Sequence, residues 1–408
     1  MTQTCDVAII GTGPHGLSLA AHLKARGINF RIFGKPMGTW AEHMPKSMML
    51  KSDGFASNLS APARESTLKA YCARNNIPYA DEGLPIPLKT FLKYADWFRN
   101  RYVSELEDTM VTALRSDGDL FALTLQTGET VVARNVVMAV GITWFAYTPD
   151  VLAGLPASLG SHSEAYGDVT HFKGRDVAVI GAGASAVNLA DELASEGVRA
   201  HIITREAGIE FNRVPDASDQ TLAARIQRPA SGIGRGWKSV FCAQAPLLFY
   251  RLPDSLKQRA IRSHMKPAAG FYMRGKIEGR VTTSLGRSVA KAEEAGGKVA
   301  LTLTDKDGVQ ETKNFDHVVA ATGYHPDMRR VPFLSKNLCG RITLTDGSPI
   351  LSDGFETPVR GLFVTGPAAM NSFGPLMRFM VGAEFAAPHV ASRLERKLGN
   401  ISESKRAA

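Results

Sequence analysis

The chain contains two glycine-rich turns, each placed after an apolar run and before a helix-forming segment. The first, Gly11-Thr12-Gly13-Pro14-His15-Gly16, follows Val7-Ala8-Ile9-Ile10. The second, Gly181-Ala182-Gly183-Ala184-Ser185-Ala186, begins 170 residues later and also follows an apolar run. A strand-turn-helix unit of this kind binds the pyrophosphate of a dinucleotide. One such turn is compatible with a loop that binds nothing, whereas two predict that two dinucleotides bind at once and exchange electrons.

The glycines of these turns have separate physical roles. Gly11 permits the tight turn out of the strand, Gly13 lets the backbone approach a pyrophosphate, and Gly16 lets the helix pack close to the strand. The second turn repeats this pattern with Gly181 and Gly183, and Ala186 takes the third position. In both turns the phosphate would lie at a helix N-terminus, where unpaired N–H groups favour an anion.

Composition bounds the class of protein. The 408 residues are 44% hydrophobic with a mean hydropathy of −0.09, and no apolar run reaches the roughly 18 residues that a membrane span needs. With no signal-peptide pattern at the N-terminus, we expect a cytoplasmic protein. The four cysteines form no Cys-x-x-Cys pair, which argues against a dithiol-disulfide reductase. The histidines show no metal-ligand spacing, so we expect no metal site.

Positive charge is concentrated in one part of the chain. The net charge is +9, and residues 205–291 hold 16 Lys and Arg against 6 Asp and Glu. This segment is either an ordinary solvated surface or a surface that steers anions, namely cofactor phosphates, an acidic substrate or an acidic carrier protein. No motif supports nucleic-acid binding.

The chain repeats one plan twice, which predicts an α/β fold of two doubly wound, Rossmann-like dinucleotide-binding domains with β-meander excursions. In each copy a turn, a helix and a strand are followed by alternating strands with Asp-Gly turns, which indicate hairpins. We expect the first dinucleotide-binding domain to comprise residues 1–160 and 318–408, with a second nucleotide domain inserted at 161–317. Within the insertion, the basic residues 211–290 are expected to form short helices that cover a substrate pocket.

Several segments resemble class B flavoprotein monooxygenases, the group of flavin-containing, N-hydroxylating and Baeyer–Villiger monooxygenases. Gly38-Thr39-Trp40 resembles the Gly-x-Trp segment that packs by the flavin in this family. The run from Asp316 to Tyr324 resembles the Asp-x3-(Leu/Phe)-Ala-Thr-Gly-Tyr signature of N-hydroxylating members, with Ala320 at the Leu/Phe position. Residues 41–62 and 372–375 are similar to small bacterial FAD-dependent hydroxylases, including urate-type hydroxylases.

Two departures from the family pattern qualify the resemblance. The acid that normally ends the second strand and binds the FAD ribose is absent, because Phe33-Gly34-Lys35 stands there. Tyr166 stands where the Baeyer–Villiger form carries Trp, which argues against that reaction.

The resemblance implies an FAD-dependent, NADPH-using monooxygenase that inserts one oxygen atom of O2 into a small molecule through a C4a-(hydro)peroxyflavin. The expected reaction is hydroxylation of a nitrogen, another heteroatom or a ring. Baeyer–Villiger oxygenation is one alternative, and an NAD(P)H-flavin reductase or electron-transfer flavoprotein is another. A non-catalytic nucleotide sensor is a third, although the intact glycines and Ala-Thr-Gly-Tyr argue against it.

The sequence also predicts individual site residues. Arg205, at the end of the second strand of the second copy, can pair with the 2′-phosphate of NADPH, although it could also be a surface arginine. By resemblance, a helix beginning near Pro375 points its N-terminus at the flavin. Asn58 and Asn371 are candidate catalytic residues that could hydrogen-bond the peroxide, or they could cap loops. The residues expected to bind cofactor are Gly11, Gly13, Pro14, His15, Gly16, Lys35, Thr39, Trp40, Val111, Gly141, Gly181, Gly183, Ala184, Ser185, Ala186, Arg205, Thr322, Gly323, Tyr324, Gly366, Gly374 and Pro375.

Overall fold

The computed structural model describes residues 4–213, 221–264 and 266–407, and two largely parallel sheets organise them. The central strand of the first sheet leads into the first glycine turn. Its apolar run is fully buried, as a strand covered on both faces requires. In spatial order the strands are Leu106–Glu107, Phe30–Phe33, Thr4–Ile10, Thr130–Met138, Leu120–Leu125 and Val111–Asp117, with Leu362–Val364 also paired with Thr130–Met138.

The second sheet repeats this arrangement around the second glycine turn. All five of its strands are parallel, in the order Thr282–Ser284, Arg199–Ile203, Asp176–Ile180, His317–Ala320 and Gly160–His162. A three-stranded antiparallel meander accompanies it, formed by Ser288–Ala295, Lys298–Thr304 and Gln310–Phe315. Short two-stranded pairs are Ala230–Ser231 with Gly234–Arg235, and Leu344–Thr345 with Ser348–Pro349. The predicted α/β fold class is therefore confirmed, while the exact domain boundaries stay a prediction.

Helices follow each glycine turn and cover the sheets. The α-helices are Pro14–Ala25, Gly38–Glu42, Leu68–Arg74, Leu88–Tyr102, Asp150–Ala153, Ala184–Ser195, Leu222–Gln227, Trp237–Gln244, Pro246–Tyr250, Asp254–His264, Arg274–Ile277, Lys336–Gly340, Met370–Phe373 and Ala383–Ala407. Single 3₁₀ turns are Gly54–Ala56, Arg64–Ser66, Ser163–Ala165, Thr170–Phe172, Phe271–Met273, Met328–Arg330, Gly366–Ala369, Pro375–Arg378 and Met380–Gly382. In the described part of the chain, no helix combines the length and the apolar character needed to cross a bilayer.

The structure corrects the predicted helix near Pro375. Pro375 begins only a 3₁₀ turn that ends at Arg378, and the long C-terminal helix begins at Ala383. Gly382 separates the two, and a Cβ there would lie 2.5 Å from the Leu376 carbonyl oxygen. A turn of four residues aligns too few peptide dipoles to act as the helix N-terminus that the resemblance implied.

Candidate active site

The first glycine turn is shaped by close backbone contacts. Gly11 has φ = +113°, and a Cβ there would lie 2.3 Å from the Ala139 carbonyl oxygen. A Cβ on Gly16 would lie 1.9 Å from the Gly11 carbonyl oxygen. At Gly13, by contrast, no atom lies within 4 Å of the Cβ position. Gly11 and Gly16 therefore serve the packing of the turn, and Gly13 leaves an open approach to the backbone.

This open approach faces a helix N-terminus. Gly13 is the N-cap of Pro14–Ala25, and no side chain caps the helix. No acidic residue stands in its first turn either. The first-turn N–H groups and the helix dipole therefore remain available to an anion such as a pyrophosphate.

A cavity of about 670 Å³, here called the first cavity, opens at this turn. Its volume lies within the range usual for ligand pockets. Ten residues predicted to bind cofactor line it: Gly11, Gly13, Pro14, His15, Lys35, Thr39, Trp40, Val111, Gly141 and Gly366. Gly16, Gly374 and Pro375 do not line it, and Gly374 packs against the Phe249 ring instead.

Acidic side chains reach the first cavity from positions that the sequence pattern did not indicate. Lys35, which stands where the ribose-binding acid was expected, forms an ion pair with Glu42. Glu42 and Asp108 both line the cavity. A ribose hydroxyl could therefore find a carboxylate acceptor although the second strand ends without an acid. Only the folded chain brings Asp108 to this place, because it follows a different strand of the sheet.

Two further groups support the lining of the first cavity. The hydroxyls of Thr39 and Thr143 share a hydrogen bond of 2.8 Å, which ties the Gly38–Glu42 helix to the loop after Gly141. His15 Nε2 donates to the Phe379 carbonyl oxygen at 3.3 Å, and Nδ1 lies 3.2 Å from Thr365 Oγ1. Burial lowers the pKa of His15 to about 4, so the ring is neutral near pH 7.

The second glycine turn repeats the geometry of the first. Gly181 has φ = +143°, and a Cβ there would lie 2.5 Å from the Ala321 carbonyl oxygen. Gly183 is the N-cap of the helix Ala184–Ser195, again without a side-chain cap, and Ala186 is fully buried in the third position. Ala186, which stands in place of the third glycine, thus fills a packed site. Its side chain does not reach the backbone that a phosphate would approach.

A second cavity, of about 590 Å³, opens at this turn. Of the predicted residues, Ala184, Ser185 and Tyr324 line it, together with Trp40. Thr322 and Gly323 do not line it but make hydrogen bonds nearby. The Thr322 hydroxyl donates to the Tyr147 carbonyl, and the Gly323 carbonyl accepts from His162 Nε2 at 3.1 Å.

The two cavities have one boundary in common, here called the shared wall. Its members line both cavities and come from two distant segments: Trp40, His43, Met44, Arg378, Phe379 and Met380. Trp40 is held by packing against Phe91, with ring centroids 5.0 Å apart. A ligand at each glycine turn would therefore extend toward a common boundary, as transfer between two nucleotides requires.

His43 is the titratable imidazole of the shared wall that sequence analysis missed. Its Nδ1–H donates to the Glu164 carbonyl oxygen at 2.7 Å. That bond leaves Nε2 as the acceptor of the neutral ring. No motif marks this histidine, because its partner lies far along the chain in the 3₁₀ turn Ser163–Ala165.

The charged groups that line the second cavity are mostly cationic. Among the described residues, Lys51, Arg213, Arg228, Arg235 and Arg378 line it, whereas Asp53 is its single carboxylate. Burial, with the nearby charge of Arg378, lowers the pKa of Lys51, and burial raises the pKa of Asp53. Such a lining favours an anionic ligand over a cationic one.

Asn58, Asn371 and Arg205 are among the predicted residues that line neither cavity; the others are Gly16, Gly181, Gly183, Ala186, Thr322, Gly323, Gly374 and Pro375. Asn58 donates to the Phe55 carbonyl at 2.9 Å and accepts from the Leu68 N–H at 2.9 Å, so it holds a turn together. Asn371 donates to the Thr345 carbonyl at 3.2 Å. These bonds fit the loop-capping alternative, and a catalytic role of either asparagine stays a prediction. Arg205 is 85% exposed at the end of its strand, with Glu206 3.7 Å away.

The described residues contain no disulfide and no cluster of side chains that could hold a metal ion. Cys5, Cys72 and Cys242 are buried and Cys339 is half-buried, and all four are unpaired thiols. No group of three or more His, Cys, Asp or Glu is placed to hold a metal ion among the described residues.

The fold and the two glycine turns define a two-nucleotide flavoenzyme scaffold. Residues 8–229 match the family model of the pyridine nucleotide-disulphide oxidoreductases, and the chain belongs to that family. Solved structures that share its fold include an ornithine hydroxylase, a cadaverine monooxygenase bound to FAD and a flavin-containing monooxygenase, which is the fold that the resemblance to class B flavin monooxygenases implies.

Individual relatives cover nearly the whole chain at low identity. An FAD-dependent urate hydroxylase of Xanthomonas campestris is 24% identical over 96% of this chain and 86% of its own length. A ferredoxin–NADP reductase of Ignicoccus hospitalis is 23% identical over 88% of this chain and 89% of its own. An ornithine N-hydroxylase structure from Kutzneria sp. 744, described with reduced FAD, NADP⁺ and L-ornithine, is 18% identical with a TM-score of 0.76. It covers 97% of this chain and 99% of that one.

Proposed function

We propose that this protein is an FAD-dependent monooxygenase that uses NADPH and O2 to hydroxylate a heteroatom or ring of a small molecule. The observation that carries the proposal is the shared wall, because it brings the ligands of both glycine turns to one boundary. The names of the flavin-dependent hydroxylases among the relatives support the choice of reaction.

The first cavity fits FAD. Gly13 offers an open backbone for the pyrophosphate, the uncapped helix supplies N–H donors, and Glu42 or Asp108 can accept from a ribose. Trp40 and Thr39 lie where a flavin ring would meet the shared wall. When bound, FAD accepts a hydride from reduced nicotinamide and provides the means of activating O2.

The second cavity fits the reduced nicotinamide dinucleotide and the substrate together. Ala184 and Ser185 begin the helix that would receive the pyrophosphate. Arg205 stands where a guanidinium can pair with a 2′-phosphate, which favours NADPH over NADH. Phe379 and Met380 give the shared wall an apolar surface that excludes water from the reaction. His43 Nε2 can accept or return a proton there.

The cationic lining of the second cavity specifies the substrate further. It favours an anionic substrate, such as the urate of the Xanthomonas relative, over a diamine. Lys51 is the group to test, because its Nζ donates to the Ala268 carbonyl at 2.9 Å and it sits near Arg378.

The experiment is NADPH oxidation under labelled O2 with urate, L-ornithine and cadaverine as separate candidate substrates. We expect label in a product of an anionic substrate, and a KM for that substrate raised about tenfold in Lys51→Met. The matched control is Lys46→Met, whose exposed ammonium pairs with Asp168 outside both cavities. NADPH oxidation without a labelled product from any candidate would count against the proposal.

An electron-transfer flavoprotein is the second candidate function. It is favoured by the ferredoxin–NADP reductase relative and by the basic residues 205–291, which could steer an acidic carrier protein. This function predicts fast reduction of an added ferredoxin by NADPH, with no oxygenated product. The same labelled-oxygen assay with ferredoxin present separates the two functions.

A further inference from the structure

Large apolar side chains are exposed mainly in one short part of this protein. Twelve large hydrophobic residues are exposed among the described residues, and seven of them lie between positions 222 and 256. Trp237 is 64% exposed and Leu248 is 57% exposed. Scattered apolar residues on a surface need no explanation, but a concentration of this kind marks an interaction site.

These side chains belong to helices that pack on one another. Trp237 Nε1 donates to the Ile226 carbonyl at 3.0 Å, which joins the helices Leu222–Gln227 and Trp237–Gln244. The Lys238 ammonium donates to Ser263 of Asp254–His264. Lys257 of that same helix lies 5.5 Å from the Tyr250 ring of Pro246–Tyr250. The exposed apolar side chains thus stand on one continuous layer of helices.

Each helix keeps a separate buried face. In Trp237–Gln244, Ser239 and Cys242 are buried, whereas Trp237 and Phe241 share the outward face at i, i+4 spacing. In Asp254–His264, Ile261 is buried, whereas Leu256 and Arg259 are exposed at i, i+3 spacing. The apolar side chains that face outward on these helices are therefore distinct from the side chains that the helices bury. We call the outward surface formed by Trp237, Phe241, Leu248, Leu256, Lys238, Arg251 and Arg259 the basic-apolar face.

The charge of this segment selects among possible occupants. Residues 221–264 contain eight Lys and Arg against one acidic residue, Asp254. A second copy of the chain would bring this positive surface against itself, which electrostatic repulsion disfavours. An anionic bilayer complements it, because Trp, Phe and Leu side chains enter the interfacial region while Lys and Arg contact anionic headgroups.

We propose that the basic-apolar face docks the protein reversibly on an anionic lipid bilayer as a peripheral, non-spanning contact. Arg228, Arg235 and His264 belong to the same segment and line the second cavity, so the docked enzyme would hold that cavity beside the lipid surface. This inference goes beyond the proposed reaction and does not depend on it.

The test is co-sedimentation of the FAD-loaded protein with phosphatidylcholine vesicles, with or without phosphatidylglycerol. We expect binding to the anionic vesicles alone, weakened by added salt. Lys238→Gln with Arg259→Gln should lower the vesicle partition coefficient about 25-fold, since each cation near such a surface contributes about fivefold. The matched control, Lys291→Gln with Lys306→Gln, removes two exposed positive charges from the antiparallel meander and should bind as the unmodified protein does.

Tryptophan fluorescence supplies a second readout in the unmodified protein. Emission should shift to shorter wavelength on anionic vesicles and be quenched by brominated lipid, and Trp237→Phe should abolish both effects while binding persists. Equal binding to both vesicle types, absence of binding, or unchanged binding of the double charge variant would overturn the proposal. So would light scattering that shows a dimer in which Trp237 is already shielded, or capture by an acidic protein without capture by vesicles.

Discussion

At the residue scale, the glycines of the first turn differ in what a side chain would meet. A methyl group on Gly11 would overlap the Ala139 carbonyl, whereas a methyl group on Gly13 would enter open space at the phosphate approach. The sequence motif predicted both roles, because each follows from local backbone geometry.

We therefore predict opposite outcomes for two alanine variants. Gly13→Ala should leave the free energy of unfolding within about 1 kcal/mol and weaken FAD binding roughly tenfold or more. Gly11→Ala should instead destabilise the fold by more than about 2 kcal/mol, because it combines a positive φ with the backbone overlap. Urea denaturation and FAD titration measure both effects. Gly154→Ala, at an unstrained and open position, is the control.

His15 predicts a dependence of stability on pH. Its pKa is about 4 in the folded protein and 6.5 when unperturbed, so between these values the unfolded chain binds a proton that the folded one does not. Stability should therefore fall as pH falls, by about 2 kcal/mol between about pH 6.5 and pH 5 from this residue alone.

The measurement is the urea midpoint across that pH range for the unmodified protein and His15→Asn. We expect a shallower slope in the variant. Some slope should remain, because burial also lowers the pKa of His22 and His162 to about 4. Parallel slopes in the two proteins would show that His15 is not buried in its neutral form.

The proposed pairing of Arg205 with the 2′-phosphate predicts that the enzyme prefers NADPH to NADH. Arg205→Gln should raise the KM for NADPH about tenfold or more and leave the KM for NADH nearly unchanged, because a charge-assisted pair with the 2′-phosphate is lost. Steady-state kinetics with both nucleotides measure this. Glu206→Gln, which removes the neighbouring acid, should not weaken NADPH binding. An equal effect of Arg205→Gln on both nucleotides would contradict the assignment.

At the element scale, an arginine–carboxylate ion pair joins neighbouring strands in each of the two sheets. The two pairs differ in how much of the arginine side chain is exposed to solvent. Arg31 pairs with Glu107 through two hydrogen bonds of 2.6–2.7 Å, also pairs with Glu129 at 2.6 Å, and is 15% exposed. Arg199 pairs with Asp176 in the second sheet in the same two-bond manner, but it is 66% exposed. Solvent screens the second pair much more than the first.

We predict that Arg31→Ala lowers the free energy of unfolding by about 2 kcal/mol, since it leaves Glu107 without its charge-assisted bonds. Arg199→Ala should cost within about 0.5 kcal/mol. Urea denaturation at matched ionic strength compares them. Equal losses of unfolding free energy in the two variants would mean that the burial of an ion pair does not control its contribution to stability.

Elements were predictable where their signals are local. The Asp-Gly turns predicted hairpins, and Asp117-Gly118 does lie at the turn between the paired strands Val111–Asp117 and Leu120–Leu125. The segment after Gly374 was not predictable in the same way. Proline is favoured at a first helical position, yet the 3₁₀ turn that Pro375 begins ends at Arg378, and the long helix begins at Ala383.

At the scale of the whole molecule, the sequence predicted two nucleotide sites but not how they meet. The shared wall joins residues 40–44 to residues 378–380, which no spacing in the chain connects. Glu42, Asp108 and His43 were missed because their place in the site depends on tertiary proximity. The basic segment 211–290 was expected to lie over a pocket, and Arg213, Arg228 and Arg235 of that segment do line the second cavity. The glycine turns were found because their motif is local, although Gly11 and Gly181 also fit against the backbone of distant strands.

The shared wall implies, for the proposed function, that the two bound nucleotides meet and that a hydride passes from one to the other. The most direct measurement is anaerobic mixing of the FAD-loaded protein with NADPH, with flavin absorbance followed in time. We predict that the flavin absorbance bleaches as NADPH is consumed, one equivalent for each flavin. NADPH that binds tightly while the flavin stays oxidised would contradict the claim.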